Sequence, residues 1–168
     1  MNQHCYWVRP GLFLAGRNPT RHSDEMTRDT LSQLLLAGVR VMIDLTMDFE
    51  VTPYRALLME QAQVYGHAAE HYRHPIRDMG VCSQDDMVCI LDRIDVSLAQ
   101  AKPVFVHCYA GVGRTGLVVG CHLARHGTSG DQALAEIARL RQGVNAAWIR
   151  SPESDAQVEM VRSWRAGM

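Results

Sequence analysis

Short apolar runs and longer stretches of helical spacing take turns along this sequence. Trp7 to Ala15 reads as an opening strand or hairpin broken by Pro10-Gly11, and Asn18-Pro19 marks a turn. Ser23 or Asp24 caps a helix running through Leu34-Leu35-Leu36 and stopped by Gly38. Val39 to Leu45 is a buried strand, Pro53 to Tyr65 a helix with Thr52 as its cap, and Glu70 to Ile76 a third strand. Ser83 caps a helix from about Gln84 to Gln100, whose Met87, Ile90, Leu91, Ile94 and Leu98 share one face. A strand over 104–107 and a helix over 114–126 follow. Ser129-x-x-Gln132 is a capping box that opens a helix with Ala133, Leu134, Ile137 and Leu140 inward. Ser151-Pro152 opens the last helix, with Val158, Val161 and Trp164 inward. Strands alternating with helices predict an α/β fold, a central and mostly parallel sheet flanked by helices, in one domain over residues 1–168.

Composition narrows the function classes. The chain has 168 residues, a formal net charge of −1 and 21% charged residues, so no global basic field recruits nucleic acid or an anionic membrane. No apolar run approaches the length of a membrane span, and the opening MNQHCYWVRP lacks a basic stretch followed by an apolar core. The five cysteines, Cys5, Cys82, Cys89, Cys108 and Cys121, form neither a disulfide framework nor a C-x-x-C metal knuckle. Reduced thiols in a cytoplasmic protein are the expectation, with no metal and no cofactor.

The chemistry is concentrated in Val104 to Gly116, VFVHCYAGVGRTG. A β-branched and aromatic run leads into Cys108-Tyr109-Ala110-Gly111-Val112-Gly113-Arg114, and small apolar residues at helical spacing follow. Gly111 and Gly113 let the backbone turn so that successive N–H groups point inward as a nest. The helix that follows brings its positive end to the same spot. Arg114 adds a planar fork suited to two phosphate oxygens. Cys108 sits at the base of this cradle, where the field favours thiolate, and a thiolate under a bound phosphate is a phosphoryl acceptor. An alkoxide or phenoxide leaving from such a phosphate needs a proton. The upstream acids are Asp78, Asp85, Asp86, Asp92 and Asp95. Asp85 and Asp86 read as first-turn residues of a helix and Asp92 and Asp95 as its solvated face, whereas Asp78 follows a strand directly, in Ile76-Arg77-Asp78-Met79-Gly80.

His107-Cys108-x5-Arg114-Thr115-Gly116 resembles the signature of the cysteine-based protein tyrosine phosphatases, and the short chain is similar to their dual-specificity-like branch. Weaker likeness runs from about Val8 to Trp164. The resemblance implies a tyrosine-phosphatase-like fold and a general acid some 30 residues before the cysteine, which is where Asp78 lies. Many relatives carry a proline shortly after that acid; this chain has Val81-Cys82. The resemblance also implies that the Thr115 hydroxyl helps the thiolate leave, and that the segment from Arg150 to Gln157 packs beside the phosphate loop. His107 is expected to orient the loop from behind. Gln157 is a candidate to touch the site, its other reading being a surface residue of the last helix, and Arg139 and Arg141 are expected in solvent.

The expected reaction is hydrolysis of phosphotyrosine, and of phosphoserine or phosphothreonine, on a phosphoprotein by a monomer that uses neither nucleic acid nor membrane. Cys108 attacks, the amides of Tyr109, Ala110, Gly111, Val112, Gly113 and Arg114 hold the phosphate, and Asp78 protonates the leaving oxygen. The alternatives are a phosphoinositide or RNA 5′-phosphatase and a non-catalytic phosphate-binding module. A loop without lysine argues against the first. The presence of cysteine, arginine and acid together argues against the second.

Overall fold

The computed structural model describes residues 3–168. Its elements, in chain order, are β1 (Cys5–Arg9), β2 (Phe13–Arg17), α1 (Asp24–Leu36), β3 (Val41–Asp44), α2 (Arg55–Val64), β4 (Glu70–Arg73), α3 (Gln84–Ala99), β5 (Val104–Cys108), α4 (Gly113–Arg125), α5 (Gly130–Leu140) and α6 (Asp155–Ser163). The five strands form one sheet in the order β1-β2-β5-β3-β4. β1 and β2 are the expected hairpin, antiparallel, with a bulge between Trp7 and Arg9. The pairs β2–β5, β5–β3 and β3–β4 are parallel.

The period of two along the strands divides the apolar side chains between two cores. Leu14, Met42 and Phe105 face α1 and α2, together with Leu31, Leu35, Tyr54 and Leu58. Phe13, Ala15, Val41, Ile43, Val104 and Val106 face the layer of α3 to α6. Within that layer α4 packs against α3, α5 and α6, so it is buried nearly all round. No helix of the described residues is long and apolar enough to cross a membrane.

Helix starts show where the sequence reading was right and where tertiary packing overrode it. Ser23, Ser83 and Ser129 are N-caps as expected, the last with a full capping box. Thr52 is not. α2 begins after Tyr54, which makes no side-chain cap, because residues 47–53 form a loop instead and the Tyr54 side chain is drawn into the core. Ser151-Pro152 does not open α6 either. That peptide is cis and lies upstream, and Ser154 caps α6 in a second capping box with Gln157. β4 stops at Arg73, although His74 and Ile76 still donate to the Asp44 and Leu45 carbonyls; Pro75 between them has no N–H to give. Arg141, expected in solvent, is 2% exposed and donates to the Ile149 and Ala146 carbonyls, which ties down the irregular 141–149 segment.

Gly120 marks a tight approach between α4 and α6. A methyl group there would stand 2.6 Å and 2.9 Å from the two Cγ atoms of Val161 and 3.3 Å from Ile137 Cδ1. Alanine gains about 1 kcal/mol of helix propensity over glycine. Forcing extra volume against a stiff β-branched side chain costs roughly 1–3 kcal/mol. Gly120→Ala is therefore expected to lower the urea-unfolding free energy by up to about 2 kcal/mol at unchanged slope. A stabilised variant would show that α4 and α6 have room to spare.

Candidate active site

β5 delivers Cys108 to the carboxyl edge of the sheet, between Arg17 at the end of β2 and Asp44 at the end of β3, which lies opposite His107. Open α/β sheets place their ligands at this edge. Residues 109–112 then turn into α4. Cys108 is 2% exposed, and its Sγ accepts the Gly111 N–H at 3.3 Å. Gly111 has φ +75°, and a methyl there would run into the Gly16–Arg17 backbone.

Contacts from outside fix which way the loop's peptides face. The Tyr109 carbonyl accepts from Asn18 N and Nδ2 at 3.3 and 3.1 Å. The Val112 carbonyl accepts from Ser151 Oγ at 2.7 Å and Gly116 N at 3.1 Å. Because a trans peptide points its C=O and N–H in opposite directions, the Ala110 and Gly113 N–H groups are turned away from these anchors. The Ser151 segment thus packs beside the loop as the resemblance implied.

Arg114 lies beneath the loop and is 1% exposed. Nη1 donates to Glu50 Oε2 at 2.6 Å and to the Ile76 carbonyl at 3.1 Å, and Nη2 pairs with Asp78 Oδ1 at 2.9 Å. Burial alone would lower the guanidinium pKa. The Glu50 hydrogen bond and the charges of Cys108, Glu50 and Asp78 reverse that and leave it raised. Glu50 also accepts Met47 N at 2.8 Å, so its own loop is closed around the carboxylate.

Of the upstream acids, Asp78 is the one the structure brings to Arg114. Its side chain is 68% exposed, on a turn where Met79 has φ +60°. Asp85 and Asp86 occupy the first turn of α3, with Asp86 bonded to its Ser83 cap, and Asp92 and Asp95 pair with Arg125. Gln157 is fully buried rather than at the surface. Its Nε2 donates to the Gly80 carbonyl at 2.9 Å and its Oε1 accepts from Glu153 N and Ser154 N, so the end of the Asp78 turn is tied to the start of α6. Thr115 is buried, with its hydroxyl donating to the Gly16 carbonyl at 3.3 Å. Tyr109 is half-exposed at the rim.

His107 leads to a buried cluster that the sequence reading missed. Its Nε2 is 2.5 Å from the Tyr54 hydroxyl, and its Nδ1 is 4.0 Å from Asp44 Oδ1. Asp44 is held by Thr46, whose N–H and hydroxyl donate at 2.9 and 2.6 Å. Burial would raise the Asp44 pKa; His71, with Nε2 3.8 Å from Oδ2, and the two Thr46 hydrogen bonds outweigh it, and the net direction is down. Burial pushes His107 down to about 4, with Asp44 only partly opposing. His107 is therefore neutral at neutral pH, and its approach to Asp44 is a polar contact rather than an ion pair. An acid ending a buried strand beside the sheet's ligand edge was a usable sign of Asp44. Nothing in the 47–53 stretch singled out Glu50.

The arrangement is a buried thiol on the turn between β5 and α4, beside a buried arginine that carries two carboxylates. Together with the fold, this is the arrangement of the protein tyrosine phosphatase superfamily. A family model described as polymorphic toxin system, DSP-PTPase phosphatase matches residues 15–128, and the chain belongs to this phosphatase family. The chain is 38% identical over 150 residues to protein tyrosine phosphatase domain-containing protein 1 of Danio rerio, covering 80% of this chain and 20% of that protein. It spans less than half the length of the curated relatives it matches. Its fold is shared with Tk-PTP in the active form at a TM-score of 0.76, 22% identity and coverage of 98% and 97% of the two chains. It is also shared with PTPMT1 in complex with PI(5)P, at 0.70, 17% identity and coverage of 92% and 90%.

The neutral His107 has a consequence for stability. Its folded-state pKa of about 4 lies below the ordinary 6.5, so between these values the unfolded chain takes up a proton that the folded chain refuses. Its contribution is fully present above pH 6.5 and is lost as the pH falls toward 4. Urea unfolding followed by circular dichroism is expected to give a lower unfolding free energy at pH 5 than at pH 7. A flat or rising profile on acidification would contradict the buried neutral imidazole.

Proposed function

We propose that the chain is a protein phosphatase that hydrolyses phosphotyrosine, and phosphoserine or phosphothreonine where they reach the loop, through a phosphocysteine intermediate. The observation that supports this reading is the Arg114–Asp78 pair beside the Cys108 loop. A carboxylate oxygen occupies Nη2, where a phosphate oxygen would bind, and the carboxylate so displaced is the acid the reaction needs.

In the proposed reaction the Cys108 sulfur attacks phosphorus as the ester P–O bond breaks. The loop amides and Arg114 hold the three equatorial oxygens, most strongly as charge spreads over them in the transition state. The incoming phosphate takes Asp78's place on Nη2; Asp78, no longer held as a carboxylate by the guanidinium, takes a proton from solvent, turns, and gives it to the departing oxygen. Its exposure and its position on a turn leave it free to move, while Glu50 keeps Arg114 aimed from Nη1. Water then attacks phosphorus, Asp78 takes the water's proton, and the S–P bond breaks to give phosphate and thiolate. Thr115 would assist this last step only by turning from Gly16. No cofactor enters, and the chain acts as a monomer.

Protein substrates are favoured because the loop offers the aromatic Tyr109 at its rim and no lysine for additional phosphates. A phosphoinositide substrate is the second reading, favoured by the likeness to PTPMT1, which was solved with PI(5)P.

Steady-state kinetics on a phosphotyrosine peptide, an aryl phosphate with a weakly basic leaving group and a soluble phosphoinositide test the proposal. Cys108→Ser is expected to lose turnover while still binding inorganic phosphate. Asp78→Asn is expected to lose roughly 10²–10⁴ in kcat on the peptide and much less on the activated aryl ester. Equal losses on both substrates would remove Asp78 as the acid. Residual turnover in purified Cys108→Ser would end the covalent route. A higher kcat/KM for the phosphoinositide than for any phosphopeptide would transfer the function to the second reading.

A further inference from the structure

The last turns of α4 hold a group of side chains that the phosphatase chemistry does not use. His122 and His126, four residues apart, stand on the side of α4 that faces α3, and Asp95 of α3 lies opposite them. Asp95 Oδ1 is 2.9 Å from His126 Nε2 and 3.6 Å from His122 Nδ1, and one donor atom from each residue lies within 4.8 Å of the other two. His122 is 9% exposed, and its ring is held edge-on by Phe13 at 4.9 Å between centroids. Its Nδ1 is buried without a hydrogen-bond partner, a costly arrangement for a polar atom. The 3.6 Å separation from Asp95 is too long for a hydrogen bond. It is close to the spacing of two ligands on one tetrahedral ion, about 3.3 Å for ligands some 2.0–2.1 Å from the metal.

We propose that Asp95, His122 and His126 bind a divalent transition-metal ion of the Zn²⁺ class. Two imidazoles and one carboxylate suit Zn²⁺, Co²⁺, Ni²⁺ or Cu²⁺, whereas Mg²⁺ and Ca²⁺ prefer oxygen throughout. The hydrogen bond between His126 and Asp95 satisfies two of the three groups and leaves His122 Nδ1 bare; an ion serves all three. Arg125 holds the other Asp95 oxygen, with Nε 3.3 Å from Oδ2, and also pairs with Asp92, so it fixes Asp95 with Oδ1 toward the histidines. The site is at the carbonyl end of α4, whose partial negative charge favours a cation. Eight residues of helix, about 12 Å of rise, separate His122 from Arg114. The ion therefore takes no part in phosphoryl transfer. It clamps α3 to α4, the helix on which the Cys108 loop rests, and this role stands whether or not the proposed substrate is correct.

Binding of Zn²⁺ and Co²⁺ to the metal-stripped 168-residue Cys108→Ser chain tests the proposal, the substitution removing the thiol at the anion-binding loop. Calorimetry is expected to give one Zn²⁺ per chain with a Kd of about 1 µM or tighter. Co²⁺ is expected to give visible bands without a thiolate charge-transfer band, and Zn²⁺ is expected to raise the thermal midpoint. Adding His126→Ala, at a half-exposed position, or Asp95→Asn is expected to weaken Zn²⁺ at least tenfold and abolish the thermal shift. Three results would overturn the proposal: no saturable binding below about 100 µM, affinity unchanged by His126→Ala, or a thiolate–Co²⁺ band placing the ion on the remaining cysteines.

Discussion

A guanidinium that is 1% exposed must be paired wherever it is buried, and the Arg114 side chain imposes that condition on half the molecule. Its partners come from two segments, the one after β3 and the one after β4. Glu50 arrives on the loop after β3, Asp78 on the turn after β4, and the Ile76 carbonyl from the irregular continuation of β4. The sheet order makes this possible: β5 lies between β2 and β3, so every parallel strand ends at the same edge as Cys108. The late start of α2 belongs to the same constraint, since residues 47–53 close around Glu50 instead of continuing into the helix.

Behind the loop the charges are arranged differently. His107 is kept neutral by burial and tied to Tyr54, while Asp44 keeps its charge through Thr46 and His71. The positive charge directly under the loop is thereby carried by Arg114 and the amide dipoles rather than by an imidazolium at its base. Side chains brought from far along the chain hold the loop's shape, Asn18 on the Tyr109 carbonyl and Ser151 on the Val112 carbonyl, while Gln157 reaches across to Gly80 and ties down the end of the Asp78 turn. In the proposed reaction these anchors keep the donors aimed before the phosphate arrives, and only the exposed Asp78 has to move.

The division between what the sequence disclosed and what it hid follows from range. The strand–loop–helix at 104–116 is local, so its glycines, cysteine and arginine predicted its geometry directly. Serine caps and period-two strands are local as well, and most elements fell where the pattern put them. Asp78 was legible because it follows a strand at a turn. Glu50, Tyr54, Asn18 and Ser151 act across 39 to 91 residues of chain, and a polar residue in a loop carries no local mark of the carbonyl or guanidinium it will meet. Arg141 and Gln157 were read as surface residues for the same reason: helical spacing shows which residues turn inward, but not that a long polar side chain will find carbonyl or amide partners there. The Asp95, His122 and His126 group was hidden because its members lie on two helices, although the i, i+4 histidines were in view.

In the proposed reaction Arg114 is a receptor whose two ends have different fates: Glu50 stays on Nη1, and Asp78 is replaced on Nη2. A crystal structure of Cys108→Ser with a phosphotyrosine peptide bound tests this most directly. The predicted result is a phosphate oxygen on Nη2 in place of Asp78 Oδ1, Asp78 turned toward the bridging oxygen, and Glu50 still on Nη1 near its present 2.6 Å. Asp78 remaining on Arg114 with the phosphate seated elsewhere, or Glu50 displaced instead, would contradict it.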